Sequence, residues 1–229
     1  MESSLGNESI LSNLSSSDIA ILKDSDSENP KKNIYVFISF DLVNSTKFKT
    51  NNDTEKEWPY VINRFYEIIF HELKSRIPQV NVWKYLGDEI LLYASLSEID
   101  CVYSIPENTY LTQKKVTSDL QNTFESLKKI HLDIKSTVWM AGTTELPKTS
   151  FYKKTDSIFR NIKIALPLQN YMAIDFIGPD MDIGFRVAKY AYHHKVVLSS
   201  DFAYLLLKMK KPKGKKSIEE NMKVFLLSY

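Results

Sequence analysis

Ile34-Tyr35-Val36-Phe37-Ile38-Ser39-Phe40-Asp41 and Val80-Asn81-Val82-Trp83-Lys84-Tyr85-Leu86-Gly87-Asp88-Glu89-Ile90-Leu91-Leu92-Tyr93 decide how this chain folds. The first run is too apolar for a surface loop and is rich in the β-branched and aromatic residues that strands favour. It stops at an acid. The second run is two such stretches separated by Gly87-Asp88, the two-residue signature of a hairpin tip. Two carboxylates, 47 positions apart in the chain, therefore stand at strand-to-turn junctions. A hairpin beside a neighbouring strand end brings such acids together, and hard divalent cations take oxygen ligands of this kind. Each acid by itself also reads as a turn residue whose side chain bonds to nearby backbone amides.

Outward from these runs, Trp58 to Leu73 carries Val61, Ile62, Phe65, Tyr66, Ile68, Ile69 and Leu73 at helical spacing and is closed by Pro78. A second helix is expected over about 111–130, then a strand over 132–140 broken at Ala141-Gly142. A strand over 171–177, a helix over 183–192, a strand over 195–198, a helix over 201–209 and a last strand over 224–227 follow. Strand, helix, two strands, helix, strand is the ferredoxin-like order. The expected fold class is α+β: a βαββαβ core with a C-terminal extension, an antiparallel sheet covered by helices. Residues 1–32 hold nine serines in the first thirty positions among Asn, Asp and Glu, the composition of a mobile tail, and leave 33–229 as one domain.

Composition excludes several classes. With 229 residues there is room for one domain with a sizeable core. A formal charge of +2 gives no argument for nucleic acid or an anionic membrane. A single cysteine, Cys101, rules out an intrachain disulfide and a Cys-rich zinc cluster, which suits a reducing cytoplasm. No apolar run approaches the roughly 18–20 residues of a membrane span, so no membrane insertion is expected. His71-Glu72 and His193-His194 lack zinc-site spacing.

A third segment joins the two acids. Asp175-Phe176-Ile177-Gly178-Pro179-Asp180-Met181-Asp182-Ile183-Gly184-Phe185-Arg186 reads as a strand end, a turn and a helix start carrying an arginine. Together the three segments resemble the signature stretches of the class III nucleotidyl cyclases. Within that family, Asn44-Ser45-Thr46 after the first acid, the Trp-x-Tyr-Leu-Gly-Asp-Glu hairpin and the Gly-Pro-Asp-x-Asp-x-Gly-Phe-Arg turn look most like the pyrimidine cyclases of the Pycsar antiphage systems.

The resemblance implies a metal-dependent enzyme that converts UTP, or CTP, to the 3′,5′-cyclic monophosphate and pyrophosphate. It implies Asp41, Asp88 and the carbonyl of Leu42 as ligands of two Mn²⁺ or Mg²⁺ ions. Asn44, Ser45 and Thr46 would face the phosphates, Lys84 and Asp175 would read the base with Phe176 narrowing the pocket, and Arg186 would act on the transition state. In the family an Asn stands four residues before this Arg; here the position is Asp182. The lysine-rich stretch over 208–216 would carry a phosphate-binding Lys. Further implications are a head-to-tail homodimer, a cytoplasmic location and a product that acts on a separate effector protein. Two other readings stay open: an adenylate cyclase, because a Lys and an Asp also suit purine-using relatives, and an inactive, dimeric nucleotide-binding module.

Overall fold

A computed structural model of the chain describes residues 31–50, 56–127, 132–145, 160–168, 171–209 and 225–226. The expected N-terminal tail lies outside them, except that Lys31 and Lys32 already belong to the first strand, and so does most of the lysine-rich stretch. The described residues divide into two compact units, one built from 35–140 with 182 onward, the other from 31–34 with 141–181.

The larger unit holds most of β1 (Lys31–Val43), then α1 (Ser45–Lys49), α2 (Trp58–Arg76), β2 (Asn81–Leu86), β3 (Glu89–Ser95) and α3 (Ser104–Thr123). It continues with the first part of β4 (Asp133–Glu145) and ends with β7 (Val196–Leu198), α5 (Ser200–Lys208) and β8 (Phe225–Leu226). The strand order β2-β3-β1-β4 is the expected ferredoxin-like one, with β7 also on β4 and β8 on β7. The β1–β3 and β2–β3 pairs are antiparallel, as anticipated. The β4–β7 and β7–β8 pairs are parallel, within a sheet of mostly antiparallel strands.

Alternation along β1 sorts its side chains onto two faces. Val36, Ile38, Phe40 and Leu42 enter a core with Val61, Phe65, Ile69 and Leu73 of α2, Val116 and Leu120 of α3, and Phe202 of α5. Each such side chain, fully buried, contributes about 1.5–3 kcal/mol of transfer free energy. Phe37 takes the opposite face, stacked on Trp139 with ring centroids 5.4 Å apart and 5.3 Å from Trp83. Phe185, on α4 (Pro179–Ala188), completes this aromatic layer at 6.0 Å from Trp83 and 6.1 Å from Trp139. Asp41 has the same strand parity as Phe37.

The smaller unit is built on a hairpin. β5 (Ile162–Leu168) pairs antiparallel with β6 (Tyr171–Ile177), and its start runs parallel to the end of β4 at Thr144 and Glu145. Asn161, 1% exposed, donates to the Gly142 carbonyl at 2.8 Å and to Asp180 Oδ2 at 2.7 Å, and accepts from the Asp180 N–H at 3.1 Å. Arg160 donates twice to Asp180 Oδ1, at 2.8 and 2.6 Å. Burial would raise the Asp180 carboxyl, but these bonds and the Arg160 charge outweigh it and hold the group below its ordinary value.

Several element bounds differ from the sequence reading. α3 starts at Ser104 rather than near 111 because Pro106 sits in its first turn, where no N–H partner is lost. α4 starts at Pro179 for the same reason, not at 183. β4 continues through Ala141-Gly142 to Glu145 instead of breaking there.

Candidate active site

Three contacts lock the two acidic junctions together. The Leu42 N–H donates to the Asp88 carbonyl at 3.2 Å, Asp41 is the cross-strand partner of Glu89, and the Ser45 hydroxyl donates to Asp88 Oδ2. Gly87 turns the hairpin with φ 67, a left-handed conformation that costs glycine little. Asn44 enters α1 at the same φ, which Asn tolerates better than most residues. The Phe48 N–H then returns to the Asn44 carbonyl at 3.0 Å.

These residues open onto one cavity of about 760 Å³, lined by Asp41, Leu42, Asn44, Ser45, Thr46 and Asp88 together with Val43, Lys47, Thr50, Lys135, Ala191, Tyr192 and His193. Asp41, Leu42 and Asp88, expected at the cation, and Asn44, Ser45 and Thr46, expected at the phosphates, thus line the same cavity. Lys84 and Arg186 are not among its lining residues. Lys84 is half-buried with its ammonium 4.4 Å over the Trp83 ring, and Arg186 is exposed in the last turn of α4. Asp182 is exposed as well. In the smaller unit, Asp175 Oδ1 accepts from the Phe176 N–H at 2.8 Å, and the Phe176 ring is buried.

Two lysines that the sequence reading did not single out neutralise the acids. Lys135 Nζ lies 2.9 Å from Asp41 Oδ2, and Lys49 Nζ lies 3.5 Å from Asp88 Oδ1. The Asp41 carboxyl is nevertheless raised: burial is the largest cause, the Lys135 bond and charge oppose it, and the Asp88 charge adds to it. Glu89 is pushed up to about 7, first by burial and then by the Asp41 charge, against a hydrogen bond from Ser39. Lys135 had a visible signal, a charged residue inside the otherwise buried run Ile134 to Trp139.

The donors suit an open, hard-cation site. Asp41, Asp88 and Leu42 line one wall, and one or two carboxylates plus substrate phosphates are donors that Mg²⁺ or Mn²⁺ would take. Among the described residues there is no group of three or more His, Cys, Asp or Glu that could hold a metal ion. No helix among them is long and apolar enough to cross a membrane.

No family model matches the chain, and no curated protein does. Solved structures do. The chain is similar to the guanylyl cyclase Cya2, with 13% identity and a TM-score of 0.53 over 82% of this chain and 89% of that one. It is also similar to two structures of bacterial light-regulated adenylyl cyclases, each at 11% identity: one with a TM-score of 0.51 over 86% of this chain and 53% of that one, the other with 0.52 over 81% and 49%. The chain spans about half the length of these light-regulated proteins. Its mixed α+β sheet, with the two acids meeting at the end of β1 and the tip of the β2–β3 hairpin, therefore has the fold of the nucleotidyl cyclases it resembles.

Proposed function

We propose that this chain is a metal-dependent nucleotidyl cyclase of the class III type that closes UTP, or CTP, to the 3′,5′-cyclic monophosphate and releases pyrophosphate. The observation that carries this reading is the convergence of Asp41, Asp88 and Leu42 on one cavity whose wall also holds the Asn44–Thr46 turn and Lys135. The reaction needs the 3′-hydroxyl to attack the α-phosphorus in line while negative charge moves onto the α–β bridging oxygen. Two Mn²⁺ or Mg²⁺ ions bound at Asp41 and Asp88 would supply Lewis acidity to the hydroxyl and charge neutralisation to the triphosphate.

The chain's own residues divide the remaining work. Lys47 and Lys135 reach the same cavity and place positive charge where the β- and γ-phosphates would lie. The Asn44–Thr46 turn brings its backbone amides to that side, while the Ser45 hydroxyl holds Asp88. Arg186 offers a guanidinium that keeps its charge and donates several fixed hydrogen bonds to the forming phosphorane. With an acid at Asp182, orientation of Arg186 replaces the phosphate contact of the family's Asn. Lys84 and Asp175 read the base edge, an ammonium donating to a carbonyl or ring nitrogen and a carboxylate accepting from an exocyclic amine. Phe176, buried next to Asp175, fixes the strand end that presents it.

Pyrimidine use, and a product that signals to a separate effector in antiphage defence, rest on the Asn44-Ser45-Thr46, Trp83 to Glu89 and Gly178 to Arg186 motifs. Incubating purified protein with each of the four triphosphates and Mn²⁺ tests the whole reading. Cyclic UMP or cyclic CMP with pyrophosphate is the expected outcome. A purine cyclic monophosphate alone would replace the substrate assignment, and no cyclic product from any of the four would overturn the activity.

A further inference from the structure

We infer that Tyr66 is a positioning residue for the proposed cation site: its hydroxyl holds the Gly87 carbonyl and so sets the tip of the β2–β3 hairpin that presents Asp88. This inference rests on the cyclase reading and adds a residue to it.

The tip is a two-residue turn, and beside the Lys49–Asp88 ion pair three hydrogen bonds reach it from outside the hairpin. Leu42 holds the Asp88 carbonyl from β1, Ser45 holds the Asp88 carboxylate from α1, and Tyr66 holds the Gly87 carbonyl from α2. The first two belong to the same strand-to-helix junction as Asp41. Tyr66 ties the tip to α2, the helix on the core face of the sheet. Its ring is held from both sides of the contact, 5.6 Å from Phe65 on its own helix and 4.6 Å from Tyr85 on β2. Phe65 is fully buried, so the Tyr66 backbone belongs to a helix turn anchored in the core, while the bond from its hydroxyl lies at the surface.

The consequence is geometric. Gly87 is in the left-handed region, and a glycine is the residue whose backbone turns most freely about that point. A rotation of the Gly87–Asp88 peptide would swing the Asp88 carboxylate relative to Asp41. The Tyr66 bond opposes this rotation by occupying the carbonyl that would move. Groups that orient a metal ligand without touching the metal typically change metal affinity by about 10- to 100-fold when removed.

The test is Mn²⁺ binding by the full chain without nucleotide, read from the electron paramagnetic resonance signal of free Mn²⁺, for wild type and Tyr66→Phe. Phenylalanine keeps the ring against Tyr85 and removes only the donor. The expected result is a loss of Mn²⁺ affinity of about tenfold, with a chelator-treated melting temperature close to wild type. In the cyclase assay the Mn²⁺ concentration for half-maximal rate should rise while the rate at saturating Mn²⁺ is retained. Wild-type Mn²⁺ affinity in Tyr66→Phe would overturn the inference and leave the cyclase reading standing. So would a variant whose melting temperature falls in chelator in step with its binding, because that marks a merely structural bond. A wild-type protein that takes up no Mn²⁺ would overturn both.

Discussion

Lys135 Nζ lies 2.9 Å from Asp41 Oδ2, both side chains about one quarter exposed, so a lysine supplies the charge that this half-buried carboxylate would otherwise lack. Removing it leaves Asp41 beside Asp88 and Glu89 without its nearest counter-ion. Lys135→Met should therefore destabilise the chelator-treated protein by about 1 kcal/mol, the upper range for a partly exposed pair. A cation at Asp41 would replace the missing charge, so Mn²⁺ should raise the melting temperature of the variant by more than that of wild type. Equal Mn²⁺ shifts in the two proteins would mean that the cation does not bind at Asp41.

Asp41→Asn and Asp88→Asn each remove one anionic ligand from a site that has two. Either should abolish cyclisation while leaving the fold nearly intact, because neither side chain belongs to the apolar core. The measurement is cyclic nucleotide formation with Mn²⁺ beside a thermal melt. Retention of more than about a tenth of the wild-type rate, against the orders of magnitude that a lost catalytic metal costs, contradicts the assignment of that residue as a ligand.

The parts of this site that were legible are the ones written in short-range chemistry. An apolar, β-branched run that stops at Asp41 and a two-residue Gly87-Asp88 turn between apolar runs define two strand ends without reference to anything distant. The Lys135–Asp41 and Lys49–Asp88 pairs were not legible, since each joins residues that only the folded sheet brings together. β5 was not among the expected strands; it carries Pro167 one residue before its end, and proline is a weak strand signal. Pro106 and Pro179 misplaced two helix starts because proline reads as a breaker unless its first-turn position is known.

Gly184 of α4 faces the Trp139 indole so closely that a Cβ would lie well inside van der Waals contact with its ring carbons. Trp139 is 1% exposed and stacked on Phe37, so it has nowhere to retreat. Gly184→Ala should cost about 1–3 kcal/mol, the usual range for overpacking a close-packed site. Because Arg186 is two residues further along the helix, turnover should fall with stability. A denaturant titration with an unchanged midpoint would show that α4 accommodates the methyl group by shifting.

Asp180 links the start of α4 to Arg160 and Asn161, and its carboxyl is held below the ordinary aspartate value. Such a group releases its proton more readily in the folded state than in the unfolded one. Its stabilising contribution is therefore complete above the unfolded aspartate pKa, near 3.9, and is lost as pH falls through the lower folded value. Asp180→Asn removes the titrating group. Its melting temperature should fall less steeply than that of wild type below about pH 4, and parallel pH profiles would exclude Asp180 as a source of acid sensitivity.

Among the described residues that line the 760 Å³ cavity there are two lysines and no arginine, so the guanidinium proposed for the transition state is not supplied by the wall that carries Asp41 and Asp88. A head-to-tail, two-fold dimer would resolve this, with Arg186 of each protomer serving the acids of its partner. Activity should then fall on dilution below the dimerisation constant. Asp41→Asn and Arg186→Ala proteins should each be inactive alone, yet a heterodimer of the two holds one site with Asp41 and Arg186 both intact and one with both altered. Equal mixing with free exchange makes about half of the dimers heterodimers, each with one working site of two, so about a quarter of wild-type activity should return. No recovery after subunit exchange has been verified would place Asp41 and Arg186 in service of the same protomer, and Arg186 would then need a conformational change to reach the cavity.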